Sequence, residues 1–69
     1  MAVARVTEIT ASSPKSIEAA IRDGLKKASR TLRGVTGIEV DSIKARVEKG
    51  KILEYRVSLR VSYQVGDEA

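Results

Sequence analysis

The most regular pattern in the sequence lies in its C-terminal part. From residue 53 to residue 65 apolar and polar side chains alternate without a break, the apolar positions being Leu53, Tyr55, Val57, Leu59, Val61, Tyr63 and Val65. Such alternation predicts a β-strand with one apolar face and one face that meets water or a partner. The Glu-Lys-Gly-Lys segment at residues 48–51 predicts a turn in which Gly50 adopts a positive φ.

The segment before this turn predicts the other strand of a hairpin. Before residue 41 its apolar residues stand at even positions, Ile38 and Val40. After residue 41 they stand at odd positions, Ile43, Ala45 and Val47. One extra residue in this strand would bring both runs to the same face. The sequence therefore predicts a β-bulge near Asp41 and Ser42.

The N-terminal half predicts a strand followed by a helix. Residues 3–10 are rich in β-branched side chains and alternate weakly, and the Ala-Ser-Ser-Pro segment at residues 11–14 is expected to end the strand. An apolar stripe at helical spacing follows, made of Ile17, Ala20, Ile21, Gly24, Leu25, Ala28 and Leu32. Ser13 is a candidate N-cap with Pro14 at the first helical position, and Ser16 is the alternative cap. Gly34 is expected at the C′ position.

Together these elements predict an α+β fold of order β-α-β-β. The hairpin and the first strand, antiparallel to the last, form a three-stranded antiparallel sheet, and the helix packs on its apolar face. Gly24 costs the helix about 1 kcal/mol relative to alanine, which suggests a close approach to a sheet or to another subunit. A helix of about 18 residues spans roughly 27 Å, whereas a strand of about 13 residues spans roughly 43 Å. One helix is therefore too short for this hairpin.

Length and composition also favour self-association. A single domain is expected over residues 1–69, with residues 66–69 as a frayed polar tail. A chain of this size buries too little surface for a robust core, and it has neither Cys nor His for disulfides or a zinc site. Idealised packing or assembly with other copies remains as the source of stability, and assembly is favoured. No long apolar segment is present, which predicts a soluble, cytoplasmic protein with no membrane partner.

The residue types argue against catalysis. Without His or Cys there is no general base of the commonest kind and no thiol nucleophile, and no metal site or catalytic residue is predicted. Glu39 and Asp41 are interpreted as solvated strand residues. The net charge of +4 leaves a basic nucleic-acid-binding module as an alternative. It is not favoured, because Tyr55 and Tyr63 lie on the apolar parity rather than among the basic residues.

Several segments, in order and without a gap, resemble the dodecin family. They are Ser-Ser-Pro-Lys-Ser-Ile-Glu at 12–18, Ala-Ser-Arg-Thr-Leu-Arg at 28–33, Glu-Val at 39–40, Gly-Lys at 50–51 and Tyr-x-Val-x-Leu-x-Val at 55–61. The resemblance implies β-α-β-β subunits that assemble into hollow shells of twelve copies. It also implies a protein that stores or sequesters FMN or riboflavin by stacking the flavin ring on a tryptophan between subunits, without turning over a substrate.

Two positions depart from the family pattern. Gly37 stands where the resemblance places the stacking tryptophan, and Arg56 stands where it places a glutamine that contacts the ring. The resemblance thus implies an impaired flavin site, with Gly37, Lys44 and Arg56 as candidate ligand-binding residues. Arg56 and Lys44 favour an anionic ligand such as a phosphorylated flavin or coenzyme A. Alternatives are a flavin-free shell with another anionic ligand, a cation or a purely structural role, in which Gly37 is a turn residue and Arg56 an intersubunit ion-pair partner.

Overall fold

A long hairpin and an N-terminal strand form the sheet of this protein. The computed structural model describes residues 3–65 and contains β1 (Val3–Ser13), α1 (Ile17–Thr31), β2 (Val35–Glu48) and β3 (Lys51–Val65). Both β1 and β2 pair antiparallel with β3, which is the central strand of the order β1-β3-β2. The predicted β-α-β-β fold with a three-stranded antiparallel sheet is confirmed. The tail predicted to fray, residues 66–69, lies outside the described residues.

The first strand is longer than predicted, and the helix begins later. The ladder between β1 and β3 continues to Ser13, opposite Tyr55, so the expected break at residues 11–13 is wrong. Ser13 is therefore not the N-cap; its hydroxyl accepts a hydrogen bond of 3.1 Å from the backbone N–H of Lys15. Ser16 caps the helix, because its hydroxyl accepts one of 2.9 Å from the N–H of Ala19. The sequence could not decide between the two serines without the pairing partner that β3 provides.

The C-terminal end of the helix also differs from the prediction. The helix has 15 residues and ends at Thr31, and Leu32 is its C-cap in an extended conformation. Gly34 does have the expected positive φ of 67°, but it lies two residues beyond this cap, so its assignment to C′ is wrong. The carbonyl of Gly34 accepts a hydrogen bond of 3.1 Å from the N–H of Gln64. The glycine therefore starts the pairing of β2 rather than closing the helix.

The hairpin has the predicted turn and the predicted bulge. Lys49 and Gly50, with φ of 53° and 76°, form a two-residue connection of the kind that matches the twist of antiparallel strands. The pairing of β2 with β3 shifts between Val40 and Ser42, which confirms the bulge, and further shifts occur near Gly37 and Val47. The Val40–Ser42 shift places Val40 and Ile43 on the same face, opposite Leu59 and Val57.

The core is small and lies where the helix crosses the sheet. Val57, Leu59 and Val61 of β3 are fully buried beneath Ala20, Gly24 and Ala28 of the helix. Small residues along the helix let its backbone approach the sheet closely. A Cβ atom at Gly24 would lie 2.9 Å from Cδ1 of Leu59 and 3.1 Å from Cβ of Ala11. The close approach inferred from the sequence is therefore to the sheet of the same chain.

Substituting Gly24 tests this contact. We expect Gly24→Ala to lower the free energy of unfolding by about 1 kcal/mol. Overpacking destabilises by about 1–3 kcal/mol, whereas the higher helix propensity of alanine stabilises by about 1 kcal/mol. Denaturant unfolding at one fixed protein concentration measures the change. Ser29→Ala, at an exposed position of the same helix, is the control and should be neutral or slightly stabilising. A Gly24→Ala protein more stable than the parent would contradict the packing described.

Candidate functional site

The candidate site residues lie on the face of the sheet that the helix leaves uncovered. We call this the bare face. It carries alternate residues of β3 from Glu54 to Gln64 together with the residues paired to them on β1 and β2. These side chains point away from the helix because the intervening residues Val57, Leu59 and Val61 point into the core. The polar pattern of β3 therefore positions an accessible and mostly polar surface, on which Val6 of β1 is an exposed apolar residue.

A cluster of cations lies at the hairpin end of the bare face. Lys44 lies directly opposite Arg56, and Arg46 lies opposite Glu54. The carboxylate of Glu54 accepts a hydrogen bond of 2.8 Å from Arg56 Nη2 and lies 3.5 Å from Arg46 Nε. We call Lys44, Arg46 and Arg56 the basic cluster; with Ala45 they line a shallow depression. Three cations and one carboxylate leave an excess of positive charge that can bind an anion.

Gly37 lies far from this cluster within one chain. It pairs with Ser62, six positions along β3 from Arg56, which is roughly 20 Å at about 3.3 Å per residue. A Cβ atom built on Gly37 would meet no heavy atom within 4 Å. The structure thus brings two of the three predicted site residues together, Lys44 and Arg56, and separates the third. A site that uses all three needs a second copy of the chain.

Acidic residues surround Arg60 farther along the bare face. Arg60 lies 3.4 Å from a carboxylate oxygen of Glu8 and 3.6 Å from one of Asp41, and it pairs across the sheet with Glu39. We call Glu8, Glu39, Asp41 and Arg60 the acidic band. The sequence interpretation of Glu39 and Asp41 as solvated residues agrees with their exposure. It missed the ion pair of Asp41, which depends on the bulge that turns this side chain toward Arg60.

The sequence analysis also missed Arg46 and Glu54. Arg46 follows Lys44 by two residues on the same strand, so period-two spacing alone could have placed both on one face. Glu54 could be assigned as the partner of Arg46 and Arg56 only after the register of the hairpin was known. The candidate site is therefore larger than predicted, with one further cation and one carboxylate.

A second and larger concavity lies elsewhere and has a different character. An open groove of about 750 Å³ runs between the outer edge of β1 and the helix, lined on its apolar side by Ile9, Ala11, Gly24 and Ala28. Lys26, Lys27 and Arg30 lie along the helix side of this groove. None of the predicted site residues lines it, so it is separate from the basic cluster.

Aromatic and metal-binding chemistry is limited in the described part of the chain. Tyr55 and Tyr63 lie half-buried on the helix-facing side of β3, opposite in parity to Arg56 and Arg60. Within residues 3–65 no three carboxylates come close enough together to hold a metal ion. Over the same residues, no helix has the length and apolar character needed to cross a membrane.

Comparisons with known proteins point to one family. The family model described as Dodecin matches residues 3–66. The dodecin of Thermus thermophilus is 32% identical over 63 residues, which cover 91% of each chain. The solved dodecin from Streptomyces davaonensis is 30% identical with a TM-score of 0.90, covering 96% of this chain and 97% of that one. The solved calcium dodecin from Mycobacterium tuberculosis is 28% identical with a TM-score of 0.80, covering 97% of this chain and 96% of that one.

Another similar structure concerns a tryptophan of a relative. It is a tryptophan-to-phenylalanine variant of the T. thermophilus dodecin, 30% identical with a TM-score of 0.91, and the match covers 97% of this chain and 100% of that one. The parent T. thermophilus dodecin therefore contains a tryptophan, whereas the present sequence contains none.

Removing the carboxylate of the basic cluster tests its ability to bind anions. Glu54→Gln leaves Arg46 and Arg56 without their shared carboxylate partner. We therefore expect pyrophosphate to bind about two- to fivefold more tightly, because one surface ion pair contributes about 0.2–1 kcal/mol. Titration calorimetry at low ionic strength measures the change. The control, Glu18→Gln, removes the same charge from the exposed pair with Arg22 on the helix and should change nothing. Equal affinities for the two variants would contradict an anion site at the basic cluster.

Proposed function

The chain belongs to the dodecin family, and from this premise we propose that copies of it assemble into a closed shell that holds a small anionic molecule without transforming it. The twelve-subunit count of that shell is the one that the sequence resemblance implies. Phosphorylated flavin is the proposed ligand class, held mainly through its phosphate. The observation that carries the ligand proposal is the basic cluster on the bare face.

Exposed apolar side chains support the assembly. Among the described residues three large apolar side chains are fully buried, Val57, Leu59 and Val61, whereas seven are about a third or more exposed. The exposed ones are Val6, Ile17, Leu25, Val40, Ile43, Val47 and Ile52. Four of the seven belong to the hairpin, and Ile43, Val47 and Ile52 are each more than half exposed. Covering them is the strongest available source of stability for so small a core.

The basic cluster supports an anionic ligand. Lys44, Arg46 and Arg56 bring three cations to one end of the sheet, and Glu54 neutralises only one of them. Guanidinium groups bind phosphate oxygens through charge-assisted hydrogen bonds, which are stronger than neutral ones. A phosphate therefore fits this part of the surface.

The flavin ring fits the site less well than the phosphate does. The family position for ring stacking is Gly37, which offers no side chain and has open space around it. A stacked aromatic pair contributes about 0.5–1.5 kcal/mol beyond the area it buries. We therefore infer that the protein binds FMN weakly and riboflavin more weakly still. Coenzyme A carries phosphates as well and is a further ligand of the same charge class.

The proposal of binding without catalysis has its own support. The whole sequence lacks His and Cys, and the acidic groups of the described residues are exposed or paired with arginine on an open surface. A nucleic-acid-binding module stays the less favoured alternative, because the two tyrosines face the helix side rather than the cations. The cytoplasmic location expected from the sequence stays a prediction.

A paired titration tests the ligand. We expect FMN to bind at least about tenfold more tightly than riboflavin, because hydrogen bonds to a charged group contribute about 1.5–3 kcal/mol. Quenching of flavin fluorescence on addition of the assembled protein measures both affinities. Replacing Lys44 and Arg56 together by alanine should abolish the difference. Equal binding of the two flavins would contradict recognition through phosphate, and no binding of either would favour the flavin-free shell.

Restoring an aromatic residue at Gly37 tests the missing ring contact. The space around Gly37 admits a side chain, and a tryptophan there should tighten FMN binding by about tenfold through stacking and area burial. Gly37→Leu is the control, since it adds apolar area without a stacking surface and should give a smaller gain. If Gly37→Trp and Gly37→Leu gave the same affinity as the parent, the flavin would bind elsewhere or not at all.

A further inference from the structure

The two edges of the sheet differ in regularity. β1 and β2 are the edge strands of the order β1-β3-β2. The pairing of β2 with β3 shifts at three places, whereas β1 pairs with β3 through eleven consecutive residues without a shift. Bulges and charged side chains commonly keep an edge strand from pairing with another chain. Within residues 3–65 no strand pairs with the outer edge of β1, and its segment from Ile9 to Ser13 has neither a bulge nor a charged side chain.

This segment of β1 also forms one side of the open groove between β1 and the helix, which we call the β1 groove. The floor of the groove is apolar, made of half-buried Ile9 and Ala11 and buried Gly24 and Ala28. A strand added beside β1 would lie about 4.8 Å from it and would turn every second side chain toward the helix. Those side chains would enter the β1 groove.

The helix side of the β1 groove is cationic. Lys26, Lys27 and Arg30 are exposed along it, and Asp23 lines it as well. None of the ion pairs formed among residues 3–65 uses these three cations. Residues 15–33 carry six Lys or Arg and two acidic residues, whereas the rest of the sequence carries seven of each. The positive net charge of the chain therefore originates in the helical segment that borders this groove.

From these observations we propose that the β1 groove binds an extended acidic segment of another protein, which joins the sheet as a further strand beside β1. Backbone hydrogen bonds to the edge of β1 supply affinity, and alternate side chains in the groove supply specificity. Glutamate fits these positions, because its methylene groups can lie on the apolar floor while its carboxylate meets Lys27 or Arg30. The segment bound here therefore has acidic residues at every second position. This binding goes beyond the proposed function and uses no residue of the basic cluster.

Charge favours such a partner over a second copy of the chain. An antiparallel pair of β1 strands from two copies would form one continuous sheet with both helices on the same face. The cations of each groove would then face those of the other copy, and like charges brought together across an interface oppose binding. In addition, none of the seven large apolar side chains that are exposed among the described residues lines the β1 groove. The apolar surface that supports self-assembly is therefore separate from it.

Peptide titration tests the addition of a strand. The probe is a short acetylated peptide in which threonine alternates with glutamate, titrated into the assembled protein at low ionic strength and followed by calorimetry. The same peptide with methylated backbone nitrogens keeps its charge but cannot donate hydrogen bonds to the edge, so we expect it to bind at least about tenfold more weakly. A peptide with lysine in place of glutamate should not bind detectably. Equal affinity for the first two peptides, or no binding of the unmodified one, would overturn the inference.

Paired variants locate the binding site on the protein. Replacing Lys27 and Arg30 together by alanine removes two cations of the β1 groove, and we expect the glutamate peptide to bind about tenfold more weakly while FMN binding is unchanged. Replacing Lys44 and Arg56 together by alanine changes the net charge equally and should leave the affinity for the peptide unchanged. Weaker peptide binding in the second variant alone would place the peptide at the basic cluster and overturn the inference, whereas the proposed function would stand.

Hydrogen exchange identifies the strand that pairs with the peptide. Outward-facing amides of an edge strand exchange readily, and a hydrogen bond to an added strand slows their exchange. With the peptide at saturation we expect slower exchange in residues 9–13 of β1 and no change in residues 35–48 of β2. Slower exchange along β2, or at neither edge, would overturn the addition of a strand at β1.

Discussion

Fifteen residues of helix rise about 22 Å, whereas the fifteen residues of β3 extend about 50 Å, and most features of this protein follow from that difference. The chain is accordingly long and thin, with extents of 55 × 18 × 13 Å. The helix buries only the middle of β3, with Ala20, Gly24 and Ala28 packed closely on the sheet. In the described part of the chain the helix does not reach the outer half of the hairpin, and Ile43, Val47 and Ile52 are exposed there.

The same constraint organises the polar surface. Because the helix covers one face and no element within residues 3–65 covers the other, every second residue of β3 can carry charge without entering the core. The bulge at Val40–Ser42 then places Asp41 beside Arg60, and the two-residue turn sets Arg46 opposite Glu54. Sheet register thus converts a sequence of mixed charges into one acidic and one basic region. The candidate anion site lies in the basic region.

Much of the fold could be predicted from periodicity, and the errors share one cause. The strand alternation, the parity change at Asp41 and the glycine turn are local signals, and the structure confirms them. The extension of β1 to Ser13 and the choice of Ser16 as N-cap depend on pairing with β3, which no local pattern contains. For the candidate site, the sequence predicted Lys44 and Arg56 but not Arg46, Glu54 or the distance to Gly37, because these follow from register across two strands.

The central claim is that this fold is completed by other copies of itself, and the dependence of unfolding on protein concentration tests it most directly. Circular dichroism follows loss of the strands and helix while sedimentation follows the mass, across a hundredfold range of concentration. Mass action predicts that the unfolding midpoint rises with concentration and that dissociation accompanies the loss of secondary structure. A cooperative unfolding transition of a 7.5 kDa species, with a midpoint independent of concentration, would contradict the account.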